Sequence, residues 1–399
     1  MKLNTIKNLL FYSYYWIQGW FKEKDTNIWV FGAMRGEKYM DNAKYLFEYL
    51  HNETKINAVW ISKNEVVVAE LRLKGFNAYH ERSSKAKYFS TIAKVAVITH
   101  RGNGDNGDLP FYFFSKQTKI IQLWHGIPLK KIAYDDRIFR SIDNKNTINY
   151  KIKSLIKNIF FPFLNYVHQP SMIIALGEET QDIFSRAFRV SKDKVKITGY
   201  PRYDILIKNR TIEVKEKKII YMPTFRGAVG SNFTLYGFDF TNIDTFLKDL
   251  GLKLDIKLHT FNRPSEELLN KINKSNNISI LDDVEIYETI HEYSILITDY
   301  SSIFFDFLLL DRPIIFAPFD KDIYLKKDRE FYFNYEDITP GPKAKNWNDI
   351  LKYIKLFNDS KDIYRQDRDK IKNRFHKYID TKNCERTYKE ILRIGNKCD

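Results

Sequence analysis

A single histidine follows an apolar run in KIIQLWHGIPLKK, residues 119–131. His125 precedes Gly126, where the backbone can turn, and Lys130 and Lys131 come shortly afterwards. A neutral imidazole in this position can take the proton of an attacking hydroxyl, and the two lysines would attract an anion. The alternative is a structural histidine that is hydrogen-bonded to its own loop.

A second cationic group lies in LDIKLHTFNR, residues 254–263. Lys257 and His259 fall on one face of the predicted strand, because side chains alternate along a strand with a period of two. Arg263 follows shortly afterwards. Together these residues predict a phosphate clamp, and a surface ion-pair cluster is the alternative.

The stretch ILITDYSSIFFD, residues 295–306, passes from a buried strand into an apolar helix. Ser301 and Ser302 stand at the helix start, where free N–H groups and the helix dipole attract anions. Simple capping is the alternative. Asp306, in the first turns, would contact a ligand hydroxyl or support the cap. The phosphate-loop and dinucleotide-binding glycine patterns are both missing from the sequence, so ATPase and dehydrogenase functions lose support.

These candidates stand at the ends of short apolar segments that alternate with amphipathic ones. The predicted strands are NIWVFGA, NAVWIS, VAVITH, KIIQLWH, MIIALG and VKITG in the first half, and KKIIYMPTF, LDIKLHT, ISILDD, YSILITDY and PIIFAPF in the second. Such alternation predicts parallel sheets with helices on both faces and ligands at the carboxyl ends of the strands. Two runs of the pattern predict two doubly wound domains that join near residues 198–218. Residues 347–396 are predicted to be helical.

The composition limits the partners of the protein. A formal charge of +15 over 399 residues suggests an anionic partner, although much of the lysine excess also fits a solvated surface. The two cysteines, Cys384 and Cys398, form no framework, and no apolar run is long enough for a transmembrane helix. Residues 1–26 combine lysines with large apolar residues at helical spacing, and residues 149–168 have the same mixture of residue types. The two segments together predict peripheral membrane contact.

One loop is rich in glycine and aspartate, RGNGDNGDLP at residues 101–110. It lacks the ligand spacing and the terminal glutamate of an EF-hand, so it predicts a flexible loop at a strand end. The sequence predicts no metal site and no definite cofactor, because it has no dedicated carboxylate cluster that would support a divalent ion.

Several motifs together resemble the CDP-glycerol glycerophosphotransferase family, which includes the teichoic-acid primases and polymerases. The motifs are WVFGAMRGEKYMDNAKYLFEYL, WHGIPLKK, TGYPRYD, YMPTFR, KLHTFNR, TDYSSIFFDFLLLDRPIIFAPFD and YEDITPGP, in unbroken order over residues 27–380. The resemblance implies an α/β, GT-B-like fold with two Rossmann-like domains facing across a cleft. Together with the patterns above, it predicts an acceptor domain at 27–205 and a CDP-donor domain at 206–380, between a membrane-contact segment at 1–26 and a C-terminal helix at 381–399.

The resemblance also implies a reaction and roles for the matched residues. Glycerol phosphate, or ribitol phosphate, would move from its CDP ester to a hydroxyl of a lipid-linked or polymeric acceptor, and CMP would leave. His125 would be the general base, and His259 would hold the donor diphosphate. The remaining matched candidates are donor contacts and phosphate or acceptor contacts: Ser301, Ser302, Asp299, Arg226, Lys257 and Arg263, and then Lys130, Lys131, Arg202 and Asp306.

Two other functions remain open from the sequence. A GT-B glycosyltransferase that uses a nucleotide sugar would need the same fold, since fold does not fix function. A non-catalytic, basic membrane scaffold would bind anionic polymer without needing both histidines and the serines. Nucleic acid is not expected as a partner, because no recognised binding module is present. The expected location is the cytoplasmic face of an acidic membrane, as a peripheral protein.

Overall fold

The computed structural model describes residues 13–19, 21–100, 107–110, 114, 117–137, 170–212, 217–224, 236–258, 265–281, 285–321, 324 and 330–395. The chain divides into two compact units. The first comprises the residues up to His125, Ala133–Asp204 and the residues from Asp380 onward, and the second comprises Gly126–Ile132 and Ile205–Ile379. Each unit is built on a parallel sheet of its own.

Twelve strands lie within the described residues. They are β1 (Asp25–Phe31), β2 (Asn57–Ser62), β3 (Ala78–His80), β4 (Ala93–Ile98), β5 (Lys119–Gln122), β6 (Met172–Ala175), β7 (Val195–Ile197), β8 (Lys218–Met222), β9 (Lys253–Ile256), β10 (Ile278–Ile280), β11 (Tyr293–Thr298) and β12 (Ile314–Phe316). All eleven predicted strand segments overlap one of these strands and are confirmed. The prediction missed β3, because three residues show no apolar run.

Helices separate most of the strands. They are α1 (Asp41–Glu53), α2 (Glu65–Leu73), α3 (Ser84–Ile92), α4 (Glu178–Phe188), α5 (Tyr203–Asn209), α6 (Phe240–Leu250), α7 (Glu266–Ile272), α8 (Ile303–Phe307), α9 (Tyr335–Ile338), α10 (Trp347–Asn358), α11 (Arg365–Phe375) and α12 (Asn383–Gly395). Single 3-10 turns occur at Met34–Gly36, Ala133–Asp135, Lys192–Lys194, Ile286–Glu288, Ile290–Glu292 and Leu308–Leu310. The helical C-terminal part is confirmed as α10, α11 and α12.

The first sheet has seven parallel strands in the order β3-β2-β1-β4-β5-β6-β7. Trp29 of β1 is in register with Ala58 of β2 on one side and with Val95 of β4 on the other. The chain therefore leaves β1 first toward one edge of the sheet and then toward the other. The direction reverses between β1 and β4, and in such sheets ligands bind at the carboxyl ends of the strands beside this point.

The second sheet has the same kind of topology, with five parallel strands in the order β10-β9-β8-β11-β12. Its central pair is β8 and β11, with Leu296 in register with Ile220. The reversal between these two strands defines a second crevice at their carboxyl ends. Each unit thus offers one edge at which chemistry is expected.

Buried apolar side chains and polar caps explain why these elements form. Val30, Val59 and Ile98 pack on one face of the first sheet, and Trp347 packs with the strands of the second. Helix ends are capped by short polar side chains, which accept from N–H groups that lack partners within the helix. The Ser83 Oγ atom accepts from the Ala86 N–H at 3.1 Å at the start of α3.

The last helix, α12, belongs to the first unit. The Asn383 and Cys384 N–H groups donate to the two carboxylate oxygens of Asp204, at 2.8 and 2.9 Å. Cys384 is buried with a free thiol. The start of α12 is therefore held by the first turn of α5, far away in sequence. The acceptor-domain and donor-domain boundaries given above stay predictions.

The predicted membrane-contact segments fall mostly outside the described residues. Residues 1–12 and 20, and all of 149–168, are among the residues that the structure does not describe. Residues 13–19 are helical, with Trp16 buried and Tyr14 and Ile17 exposed. No helix in the described parts of the chain combines the length and the hydropathy needed to cross a bilayer.

Candidate active site

His125 lies at the carboxyl edge of the first sheet, just beyond β5. Its Nδ1 atom is 3.2 Å from the carbonyl oxygen of Thr99, which follows β4. A carbonyl oxygen only accepts hydrogen bonds, so Nδ1 carries the proton in the neutral ring. The Nε2 atom then keeps its lone pair, and the residue is exposed to solvent. This is the tautomer that a general base requires.

The loop that carries His125 is held in a strained conformation. Trp124 has a φ of 54°, in the left-handed region, which costs a non-glycine residue about 1–2 kcal/mol. The buried amide of Asn42 offsets this cost, because its Nδ2 group donates to the Leu123 carbonyl at 3.3 Å and to the Trp124 carbonyl at 3.0 Å. Asn42 therefore fixes the backbone just before the histidine.

A second imidazole stacks on the first. The rings of His100 and His125 are nearly parallel, at 4°, with centroids 4.5 Å apart. The Nδ1 atom of His100 lies 3.0 Å from the Thr99 Oγ1 atom. Thr99 thus contacts both rings, one through its carbonyl and the other through its hydroxyl.

Asp108 organises the strand ends around these rings. Its carboxylate accepts from the Arg35 N–H at 2.6 Å, the Thr99 N–H at 2.8 Å, the His100 N–H at 2.7 Å and the Thr99 hydroxyl at 3.1 Å. A Cβ on Gly32 would stand 2.2 Å from the Asp108 carbonyl oxygen, so only glycine permits this approach. Burial raises the pKa of Asp108 to about 6, against the effect of the hydrogen bonds.

Arg202 is a buried residue that contacts Asp41 and Asn42, at the start of α1. It is 1% exposed, and its Nη1 atom lies 2.5 Å from the Asp41 Oδ1 atom. Its backbone N–H donates to the Asn42 Oδ1 atom at 3.3 Å. The geometry therefore places Arg202 behind the His125 loop, in a buried ion pair. It was predicted as a phosphate or acceptor contact, and that role stays a prediction.

The surroundings of His125 set its protonation state. Desolvation by the surrounding protein lowers its pKa, the neighbouring His100 lowers it further, and Asp41 acts in the opposite direction. Water still reaches more than a third of the residue's surface, which limits the decrease. His125 is consequently neutral at physiological pH and ready to accept a proton.

This environment predicts the acid side of the pH profile. A base must be neutral, and the lowered pKa of His125 keeps it neutral below its ordinary value of 6.5. We expect kcat/KM for the transfer that the resemblance implies to stay level as the pH falls from about 8 to about 6.5 and to decline only below that, in initial-rate measurements. An acid limb centred above the ordinary histidine value would contradict the neutral-base assignment.

The second unit brings a different set of groups to its own carboxyl edge. Asp299 follows β11, and its Oδ1 atom accepts from the Thr224 N–H at 2.8 Å and from the Tyr300 N–H at 2.5 Å. Thr224 follows β8, so this carboxylate joins the ends of the two central strands. Asp299 is 2% exposed. Its contacts make it an organiser of the strand ends.

The two serines stand beside this junction. Ser302 occupies the N-cap position of α8, but its side chain makes no capping hydrogen bond. The Ser301 Oγ atom is 3.5 Å from the Ile303 N–H, a long contact. Both residues are half-buried. Simple capping thus does not account for the pair. Asp306 is buried and accepts from the Tyr287 hydroxyl.

The lysines predicted to meet an anion have protein partners of their own. The Lys131 Nζ atom lies 2.6 Å from the Glu330 Oε2 atom, and the Lys130 Nζ atom lies 5.0 Å from the centre of the Tyr324 ring. Lys257 directly follows β9, and its N–H donates to the Tyr221 carbonyl at 2.9 Å. His259, Arg226 and Arg263 lie outside the described residues.

The sequence candidates are thus distributed over two edges. Within the described residues, no cluster of three or more histidine, cysteine or acidic side chains is placed to hold a metal ion. The residues that sequence inspection missed are His100, Asp108, Asp41 and Asn42. Sequence position gives only weak signals for them: His100 ends a predicted strand, Asp108 lies in the loop that follows it, and Asp41 and Asn42 begin α1.

Comparisons with known proteins agree with the family suggested by the motifs. A sequence profile described as CDP-Glycerol:Poly(glycerophosphate) glycerophosphotransferase matches residues 13–393. The teichoic acid glycerol-phosphate transferase of Staphylococcus aureus (strain NCTC 8325 / PS 47) is 28% identical over 411 residues, which cover 98% of this chain and 99% of that protein. The teichoic acid poly(glycerol phosphate) polymerase of Bacillus subtilis (strain 168) is 29% identical over 82% of this chain, which spans only 43% of that protein.

A solved structure shows the same fold. The wall teichoic acid polymerase TagF superimposes with a TM-score of 0.74 at 24% identity, over 98% of this chain and 96% of that chain. The α/β, GT-B-like fold class with two parallel sheets is confirmed.

Proposed function

This chain belongs to the CDP-glycerol:poly(glycerophosphate) glycerophosphotransferase family, and from that premise we propose that it transfers glycerol phosphate from CDP-glycerol to an acceptor hydroxyl. The observation that carries the proposal is the His125 imidazole, whose Nδ1–H is tied to the Thr99 carbonyl and whose Nε2 atom remains available. A scaffold that only bound anionic polymer would have no use for this arrangement. The protein is accordingly a phosphotransferase.

The reaction follows from this geometry. The acceptor oxygen attacks the phosphorus that carries glycerol, and its proton passes to the Nε2 atom of His125. The bond from that phosphorus to the oxygen of CMP breaks, and CMP leaves with the electron pair. A phosphodiester forms, so atoms and charge balance. Because charge gathers on the diphosphate oxygens, fixed cations and N–H donors contribute much of the catalysis.

The donor diphosphate is assigned to the carboxyl edge of the second sheet. Ser301 and Ser302 support this assignment, because neither hydroxyl makes a short capping bond. Asp299 accepts from the Thr224 N–H at the end of β8, and Arg226 follows two residues later in the sequence. His259, Lys257, Arg226 and Arg263 are proposed as the cationic contacts. Lys130 and Lys131 are proposed as further phosphate or acceptor contacts, in addition to their protein partners Tyr324 and Glu330.

A donor panel tests the reaction class. The purified protein is offered CDP-glycerol, CDP-ribitol or a set of nucleotide sugars, with a lipid-linked saccharide acceptor or with water alone, and nucleotide release is measured. Release of CMP with CDP-glycerol, dependent on the acceptor, is expected. Release of CMP with CDP-ribitol and not with CDP-glycerol would mean that the transferred group is ribitol phosphate. Product formed only from a nucleotide sugar would replace the proposed phosphodiester with a glycosidic bond.

A lipid-linked or polymeric acceptor and a peripheral position on the cytoplasmic face of an acidic membrane complete the proposal. Three exposed side chains near the N-terminus support it: Tyr14 is 56% exposed, Ile17 is 54% exposed and Phe21 is 84% exposed. Large apolar groups of this kind insert at the headgroup boundary, and a charge of +15 favours anionic lipid.

Liposome flotation tests this location. The protein is expected to float with vesicles that contain anionic lipid, and Ile17→Asp combined with Phe21→Asp is expected to reduce the floating fraction. The matched control is Leu73→Asp, which changes a side chain that is 89% exposed at the end of α2. If the double variant and the wild type float equally, Ile17 and Phe21 do not contribute to membrane binding.

A further inference from the structure

Both stacked imidazoles are hydrogen-bonded to Thr99, and these bonds define the tautomer of each ring. The Thr99 hydroxyl has a single proton, and the Asp108 carboxylate 3.1 Å away accepts it. The hydroxyl oxygen must therefore accept from the Nδ1–H group of His100 at 3.0 Å. The Thr99 carbonyl likewise holds the Nδ1–H group of His125. Both rings thus carry their proton on the side that faces Thr99.

The two Nε2 atoms consequently point away from Thr99 with free lone pairs. Neither Nε2 atom has a hydrogen-bond partner among the residues that the structure describes, and the side chain of His100 is 27% exposed. The rings lie parallel at 4.5 Å, so two acceptor atoms stand side by side at the carboxyl edge of β4 and β5. General-base chemistry needs one of them.

The charges around His100 keep it in the accepting form. Burial lowers its pKa, Arg35 lowers it further and Asp41 raises it. Among the residues that the structure describes, the His125 ring stacks on it and the Asp108 carboxylate lies 3.9 Å from its Nδ1 atom. A neutral His100 with its proton on Nδ1 accepts a hydrogen bond at Nε2 and donates none there.

We propose that His100 binds a second hydroxyl of the acceptor, so that the site recognises a vicinal diol. This inference rests on the proposed function, with His125 as the base for the attacking hydroxyl. Hydroxyls on neighbouring carbons lie about one hydrogen-bond length apart, which suits two stacked acceptor nitrogens. The second contact also orients the attacking oxygen relative to the base, and correct orientation contributes to the rate.

The preference for a diol is expected to be modest. His100 is partly exposed, so water can replace the lost hydroxyl, and a neutral hydrogen bond then changes kcat/KM by about 3- to 10-fold. His100→Phe keeps a flat ring beside His125 and removes the accepting nitrogen. This variant is expected to lose the preference while it keeps transfer to a single hydroxyl.

The test compares two synthetic lipid-linked acceptors that end in glycerol phosphate or in 3-hydroxypropyl phosphate, which lacks the second hydroxyl. Transfer from CDP-glycerol is measured for the wild type, for His100→Phe, for His100→Leu as a second variant if the first does not fold, and for His51→Phe as a control at an exposed histidine of α1. The wild type and the control should prefer the diol by about 3- to 10-fold, and the His100 variants should show no preference.

The outcomes separate the two proposals. A wild type that transfers to both acceptors equally, or a His100 variant that keeps the wild-type preference, would overturn the diol site and leave the transfer reaction standing. A wild type that releases CMP with neither acceptor in the presence of CDP-glycerol would overturn the proposed function and the diol site with it.

Discussion

Replacing His125 with alanine is expected to lower kcat for acceptor-dependent CMP release by about 10²–10⁴-fold, the usual contribution of a general base. The KM for CDP-glycerol should change little, because the proposed donor contacts lie on the second sheet. Loss in kcat and in kcat/KM together marks an interaction made in the transition state. Steady-state kinetics at saturating acceptor measure both constants.

The control for His125→Ala is His51→Ala, at an exposed position of α1. It should retain wild-type kinetics. Donor binding by calorimetry separates lost chemistry from a lost fold, since the His125 variant is expected to bind CDP-glycerol as the wild type does. Near-normal turnover of the His125→Ala enzyme would show that His125 is not the general base.

The sequence predicts the scaffold of this site well. Strand ends can be read from apolar runs, and parallel sheets gather those ends at one edge. His125 is therefore predicted from the apolar run before it, and Asp299 from the motif that matches the family. Both do lie at a carboxyl edge, directly after β5 and β11.

The roles of individual charges could not be read from the sequence. Lys131 was expected to attract an anion, yet its partner is Glu330, 199 residues away. Asp108 was assigned to a flexible loop, because glycine and aspartate around it predict turns. Its carboxylate is instead buried and accepts four hydrogen bonds from residues at the ends of β1 and β4. Such contacts depend on strand order, which the pattern of apolar residues does not specify.

His100 illustrates the same point at closer range. It ends the predicted strand VAVITH, and one histidine at a strand end carries little information alone. Its significance comes from the ring of His125 stacked on it at 4.5 Å and from the hydroxyl of Thr99. Neighbouring strands bring together two histidines that are 25 residues apart in sequence.

The second large effect is expected on stability, from Arg202→Met. This substitution leaves the Asp41 carboxylate, whose side chain is 12% exposed, without its cation at 2.5 Å. Removing one partner of a buried ion pair costs about 3–5 kcal/mol, because the remaining charge stays desolvated. Guanidinium unfolding followed by tryptophan fluorescence should show a free energy of unfolding lower by about that amount. An Arg202→Met variant as stable as the wild type would contradict the buried-pair assignment.

The double variant Asp41→Asn, Arg202→Met is the control, because it removes both charges and should recover part of the lost free energy of unfolding.

The same pair of charges also acts on the pKa of His125. Asp41 raises the pKa of His125 and Arg202 lowers it, so Arg202→Met leaves the carboxylate unopposed. The acid limb of kcat/KM should therefore move to higher pH in Arg202→Met and return toward the wild-type position in the double variant. A stability loss without this movement would mean that Arg202 supports the His125 loop by packing alone.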